Sequence, residues 1–180
     1  MLKVPLTKYE HIVQGDGMSF LMQITPKLTP GELRSTLVKY LQENPALRST
    51  VRDGVMYCPE RPDPDFEYIG KELLYNQPFD VPVTLGQRLL ALSSTDKYKF
   101  RDGRQFRALA CDLDDSTLLD LHYSHQCGDG LCVITNSQRF MELLNPNEQP
   151  IKKDLRSITS EWMKEGNMKY QTEVKPFNFD

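Results

Sequence analysis

A mixed α and β domain is the fold class this sequence predicts, on three observations. A capped amphipathic stretch with regularly spaced leucines occupies residues 29–45. Apolar, β-prone runs separated by turn signals lie at 48–58 and 106–125, and a second helical pattern begins directly after Gly130. Helices interleaved with hairpins belong to mixed domains rather than to bundles or sandwiches.

In LTPGELRSTLVKYLQENPALR, Thr29 stands as N-cap, Pro30 at the first helical position and Glu32 three residues after the threonine, as in a capping box. Leu33, Leu37 and Leu41 then recur every fourth residue, and Asn44-Pro45 stops the helix. RSTVRDGVMYC reads as two short strands turned at Asp53-Gly54, and CPERPDPDF is loop by composition. Phe106 to Asp112 and Thr117 to His125 read as a hairpin around DLDDS. LCVITNSQRFMELLN is a helix by pattern, with Leu131, Ile134, Met141 and Leu144 on or near one face. Beyond Pro146 and Pro150, Ile151, Leu155, Ile158 and Trp162 again stand at helical spacing.

Composition narrows the function classes. The chain has 180 residues, enough for one self-supporting core, with 22 basic and 25 acidic side chains and a formal net charge of -3. No Lys/Arg block of the kind that tracks a phosphate backbone is present, so nucleic acid is not expected as a partner. The apolar runs are shorter than the roughly 18 residues a membrane span needs. MLKVPLTKYEHI lacks the apolar stretch of a signal peptide, so the expected location is cytoplasmic. In that compartment Cys58, Cys111, Cys127 and Cys132 are expected as free thiols.

Two of the three histidines fall within LLDLHYSHQCGDGLCVI, Leu118 to Ile134, beside two cysteines and an aspartate. Strand alternation puts Leu119, Leu121, Tyr123 and His125 on one face and Leu118, Asp120, His122 and Ser124 on the other. The histidines therefore diverge, which disfavours a zinc site of His122, His125, Cys127 and Cys132, whose ligands must converge on one point. Cys127 as a nucleophile with His125 as its base would draw both groups from one extended tripeptide, whereas a nucleophile is normally presented on a sharp strand-to-helix turn. His125 alone, ending an apolar strand face before a polar turn, is placed at the rim of a pocket, where burial favours the neutral imidazole a general base needs. A purely structural histidine fits the same spacing, and His122 reads as a polar residue on a partly solvated face.

SHQCGDG, Ser124 to Gly130, resembles the His-His-x-x-x-Asp-Gly (HHxxxDG) signature of the chloramphenicol acetyltransferase-like superfamily, which includes nonribosomal peptide condensation domains. PLTKYE resembles the opening of condensation domains, LRSTLVKYLQENPALRSTV their first helix and the stretch after it, and FRALACDLDDSTLLDLHYSH their paired strands before the signature. SITSEWMKEG is similar to the tryptophan-bearing helix that follows, so the likeness runs over most of the chain.

The resemblance implies an α/β (α+β mixed) fold, one half of the chloramphenicol acetyltransferase-like architecture, with a mixed β-sheet flanked by helices. It divides the chain into an N-terminal subdomain at 1–146 and a linker helix and tail at 147–180. It implies acyl transfer from a CoA or phosphopantetheinyl carrier-protein thioester to a hydroxyl or amine acceptor, with no permanently bound cofactor and no metal. His125 stands at the signature's second histidine, the general base. Asp129 is its structural support, paired with an arginine for which Arg48 is the first candidate and Arg107 the second. Gly130 lets the chain pass close to the substrate path. Two departures stand out: Ser124 occupies the first histidine position, and the family pairs two such halves around its tunnel. The implied forms are a self-associating enzyme, half of a larger one that needs a second half-domain, or a noncatalytic half that binds a carrier protein.

Overall fold

The computed structural model describes residues 2–6, 17–95, 97–98, 103–128 and 130–145. The chain divides into two units, Met1–Asn145 and Pro146–Asp180, and every described residue belongs to the first. The helix expected around Ile151 to Trp162, and Asp129 itself, lie outside the described residues.

Two sheets form. The smaller joins β1 (Leu2–Pro5), β3 (Thr50–Arg52) and β4 (Val55–Cys58) in the order β1-β4-β3, antiparallel throughout. The larger has the order β2-β7-β6-β5, from β2 (Gly17–Ile24), β5 (Phe66–Gly70), β6 (Phe106–Asp112) and β7 (Thr117–Ser124). β2, β7 and β6 pair antiparallel, whereas β5 runs parallel to β6, so the sheet is mixed. A parallel pair cannot be closed by a tight turn and needs a crossover. Here the crossover carries the short α2 (Glu72–Tyr75) and α3 (Leu85–Ser93).

The expected first helix is α1, Pro30–Glu43, with both arms of the Thr29/Glu32 capping box in place. The Thr29 amide donates to Glu32 Oε2 at 2.8 Å and the Glu32 amide to Thr29 Oγ1 at 3.2 Å, satisfying two of the amides a helix start leaves open. Asp53 (φ 51°) and Gly54 (φ 71°) make the tight turn between β3 and β4, where two successive positive φ values match a two-residue hairpin. The 106–124 hairpin forms with Phe106 opposite Tyr123 and Asp112 opposite Thr117. The sequence reading did not include β1, β2, β5, α2 or α3. A signal for α3 was present, since Thr84 and Gln87 form a second capping box.

Each face of the large sheet is covered by different helices. On one, Leu119, Leu121, Tyr123, Phe106, Ala108 and Ala110 pack beneath α1 and α4 (Gly130–Leu144), against Leu33, Leu37, Tyr40, Leu41, Val133 and Phe140. On the other, Leu109, Cys111, Leu118 and Ile69 pack with Leu74 and Leu89 of the crossover helices. The face expected for α4 is corrected here. Leu131, Ile134 and Met141 are exposed, and the buried residues are Val133, Ser137 and Phe140. The reason is specific contact: Phe140 meets the Tyr40 ring edge-on at 5.5 Å, and Ser137 bonds the Tyr123 hydroxyl, which turns the opposite stripe of an apolar helix outward.

Candidate functional site

β7 ends at Ser124, and His125–Cys127 form a single 3-10 turn that leads through Gly128 to α4. His125 is therefore not the last residue of the strand. Alternation correctly separates Tyr123 from His122, but the direction of His125 is set by the turn rather than by strand parity.

The turn is held by short-range bonds. Ser124, at the position of the signature's first histidine, is buried; its amide donates to the Gln105 carbonyl at 2.9 Å and its Oγ accepts from the Gln126 amide at 3.3 Å. A serine here caps the turn. The Gly128 amide closes the turn onto the His125 carbonyl at 3.4 Å. Gly128 has φ 154°, and a Cβ there would stand 2.5 Å from Cys132 Cβ, so both conformation and space require glycine. At Gly130, by contrast, a Cβ would meet nothing within 4 Å; the residue opens α4 without a close approach. His125 is half-buried, with Nδ1 inside.

Under the turn lies a chain of neutral hydroxyls. The Tyr123 hydroxyl is 2.9 Å from Ser137 Oγ and 3.1 Å from the Tyr40 hydroxyl. Burial pushes the Tyr123 phenol up to about 12 and raises that of Tyr40 further, with the Tyr123 charge adding to it. Neither phenol ionises at neutral pH.

His122 belongs elsewhere, on the sheet face toward α3. Its Nδ1 is 2.8 Å from Ser19 Oγ, the residue directly opposite on β2. Burial lowers its pKa against the pull of the Asp120 charge. The Asp120 carboxyl, 1% exposed, is raised by burial, partly offset by the hydroxyl of Ser93, by His122, by the hydroxyl of Ser19 and by Arg107. Arg107 donates from Nη2 to Glu67 Oε1 at 2.9 Å on this same face. His122 is thus less solvated than its sequence context suggested.

Arg48 donates from Nε to the Pro59 carbonyl at 2.8 Å and from Nη1 to the Leu41 and Gln42 carbonyls at 3.0 and 2.8 Å. It closes off carbonyls at the end of α1. Its loop also reaches the signature turn, because the Cys127 thiol lies 3.6 Å from the Ala46 carbonyl. None of the four cysteines is in a disulfide. Among the described residues no three His, Cys, Asp or Glu side chains gather as metal ligands.

The sequence reading missed Gln105, which is 1% exposed and touches the turn through backbone and side chain. Its only sequence signal is a lone amide between Gly103 and an apolar strand.

No family model and no curated protein matches the chain. Solved structures do. Holo T3CT superposes with a TM-score of 0.61 at 16% identity, over 90% of this chain and 38% of that one. The EpoB cyclization-docking bidomain of a nonribosomal peptide synthetase from Sorangium cellulosum matches with a TM-score of 0.60 at 15% identity, over 95% and 37%. A chain of the complex of the X-domain and OxyB from teicoplanin biosynthesis matches with 0.58 at 14%, over 83% and 35%. The fold is thus similar to that of these nonribosomal peptide synthetase domains, and the chain spans little more than a third of each solved chain.

Proposed function

We propose that this domain carries the acyl-transfer site of a condensation-like enzyme, with His125 as general base. The observation that supports the reading most is the placement of His125: half-buried on a one-turn helix between the central strand β7 and α4, in a condensation-type fold. Its Nδ1 is buried, and in this reading Nε2 is the nitrogen that meets the acceptor. It takes the proton from a hydroxyl or amine as that oxygen or nitrogen attacks the carbonyl carbon of a thioester. The tetrahedral adduct then expels the thiolate, which recovers the proton from the imidazolium, giving an ester or amide and a free thiol. Positioned proton transfer of this kind contributes about 10²- to 10⁴-fold.

In this reading Asp129 supports the histidine and Arg48 is its partner ahead of Arg107. The Arg48 loop touches the signature turn, whereas Arg107 points to the opposite sheet face. Donors are a phosphopantetheinyl carrier protein or CoA, and acceptors are small hydroxyl or amine compounds; nothing is bound permanently. A second reading, a half-domain that binds a carrier protein or a complementary half without catalysing, draws on the 38% share of the matched chains.

The test is sedimentation equilibrium followed by thiol release from acetyl-CoA and from an acetylated carrier protein with a panel of alcohols and amines. Release that is lost in His125→Ala and largely kept in His122→Ala supports the catalytic reading. Equal losses in both variants would overturn the assignment of the base. No release from any donor, with retained carrier binding, would leave the binding domain.

A further inference from the structure

We infer that Gln105 and Cys127 form a hydrogen-bonded clamp that positions His125; its catalytic consequence rests on the acyl-transfer reading above. The Cys127 sulfur lies 3.5 Å from Gln105 Oε1, 3.6 Å from the Ala46 carbonyl and 3.9 Å from the Gln105 carbonyl. All three are acceptors, so the neutral thiol donates here, and a thiolate would face oxygen lone pairs. That environment suits an anchor and opposes a nucleophile.

The Gln105 amide is itself held. Its Nε2 donates to the Gly103 carbonyl at 2.6 Å, which turns Oε1 toward Cys127. The same Gly103 carbonyl accepts from the Val51 amide at 2.8 Å. A Cβ on Gly103 (φ 66°) would fall 2.0 Å from the Val51 carbonyl oxygen, so this close approach requires glycine. The Gln105 carbonyl meanwhile takes the Ser124 amide. One buried glutamine therefore grips the His125 turn at both ends, at Ser124 and Cys127, and ties it to β3. Cys127 adds a second tether to the loop after α1 through Ala46. A positioning pair is the role this geometry supports, since the two side chains engage each other and the Ala46 and Gly103 carbonyls.

The experiment uses the full chain and two readouts that need no turnover. The first is brief iodoacetamide labelling with each cysteine mapped by mass. Exposed Cys132 is expected to label first, and Gln105→Ala is expected to speed Cys127 labelling roughly three-fold, the lower range of one net hydrogen bond. The second is the proton NMR signal of the His125 ring. Cys127→Ala should shift or broaden it while the His122 signal stays, and Cys127→Ser, which keeps a donor, should restore it. In thiol release, Cys127→Ala should lower kcat with KM unchanged. Unchanged Cys127 labelling in Gln105→Ala together with an unchanged His125 signal in Cys127→Ala would overturn the clamp. Should Gln105→Ala fail to fold, the ring signal of Cys127→Ala and its serine rescue decide alone. If His125→Ala releases thiol as fast as the wild-type chain, the acyl-transfer reading falls, while labelling and ring signal still judge the clamp.

Discussion

On the sheet face beneath α1 and α4, Leu119, Leu121 and Tyr123 of β7 meet a core that holds the mutually bonded hydroxyls of Tyr40, Tyr123 and Ser137. On the face toward α3, the intervening residues Leu118, Asp120 and His122 of the same strand combine an apolar end with a buried ionisable cluster. Both faces are desolvated, yet one holds groups that stay neutral while the other holds a carboxyl and an imidazole that burial drives toward neutrality from opposite sides. Burial by itself therefore does not mark a site. The candidate catalytic turn grows from the end of the first face, where the hydroxyl chain makes the support rigid without introducing charge.

The largest expected effect is on the neutral face. Phe140→Ala removes a fully buried ring that touches Tyr40 and should cost about 3–5 kcal/mol in urea unfolding. A cost below about 1 kcal/mol would mean that α4 does not anchor that core.

Tyr123→Phe keeps the ring and deletes the middle hydroxyl, leaving Tyr40 and Ser137 each short of a partner seen here. The expected loss is about 1–3 kcal/mol, the cost of stranding buried polar groups. A neutral outcome would show that the hydroxyl chain is dispensable, and the contrast between the faces would reduce to shape.

On the charged face the predictions concern pH. The folded-state pKa of Asp120 lies above its ordinary 3.8, so its stabilising contribution is complete below that value and is lost as pH rises through the folded pKa. Asp120→Asn, which stays neutral, should flatten that loss. His122 is shifted down from 6.5, so its contribution is present above that value and is lost as pH falls through the folded pKa. His122→Gln should flatten the acid limb instead. Melting temperatures from pH 3 to 9 check both, and superimposable profiles for wild type and Asp120→Asn would exclude a buried titrating carboxyl.

The smallest effect belongs to the surface. Arg139 reaches both Glu43 carboxylate oxygens at 2.8 and 2.9 Å, joining α4 to the end of α1, but its side chain is 45% exposed. Arg139→Ala should cost no more than about 1 kcal/mol, and less in high salt. A larger loss in chemical unfolding would make this pair part of the α1–α4 joint rather than its rim.

Local chemistry made much of this legible. The Thr29 cap, the Asp53-Gly54 turn and the Phe106–Ser124 hairpin depend on residues near in sequence, and each forms where its residues indicate. β2 and β5 were not legible because their partners, β7 and β6, lie 40 or more positions away along the chain. The same holds within the candidate site. The sequence placed His125 at a strand end before a glycine-rich turn, and the motif supplied its expected role.

By itself, then, the sequence determined the mixed fold class, the capped first helix, the central hairpin and the opposite faces taken by His122 and Tyr123. The tertiary structure decided which stripe of α4 is buried, because contacts from other elements, Tyr40 and Tyr123 among them, distinguish one apolar stripe of that helix from the other. It also decided the direction of His125, because the end of β7 is fixed by the bonds among Ser124, Gln126 and Gln105 and not by alternation. Periodicity assigns a residue to a face of its own element, whereas a site is made by what the other elements bring to that face.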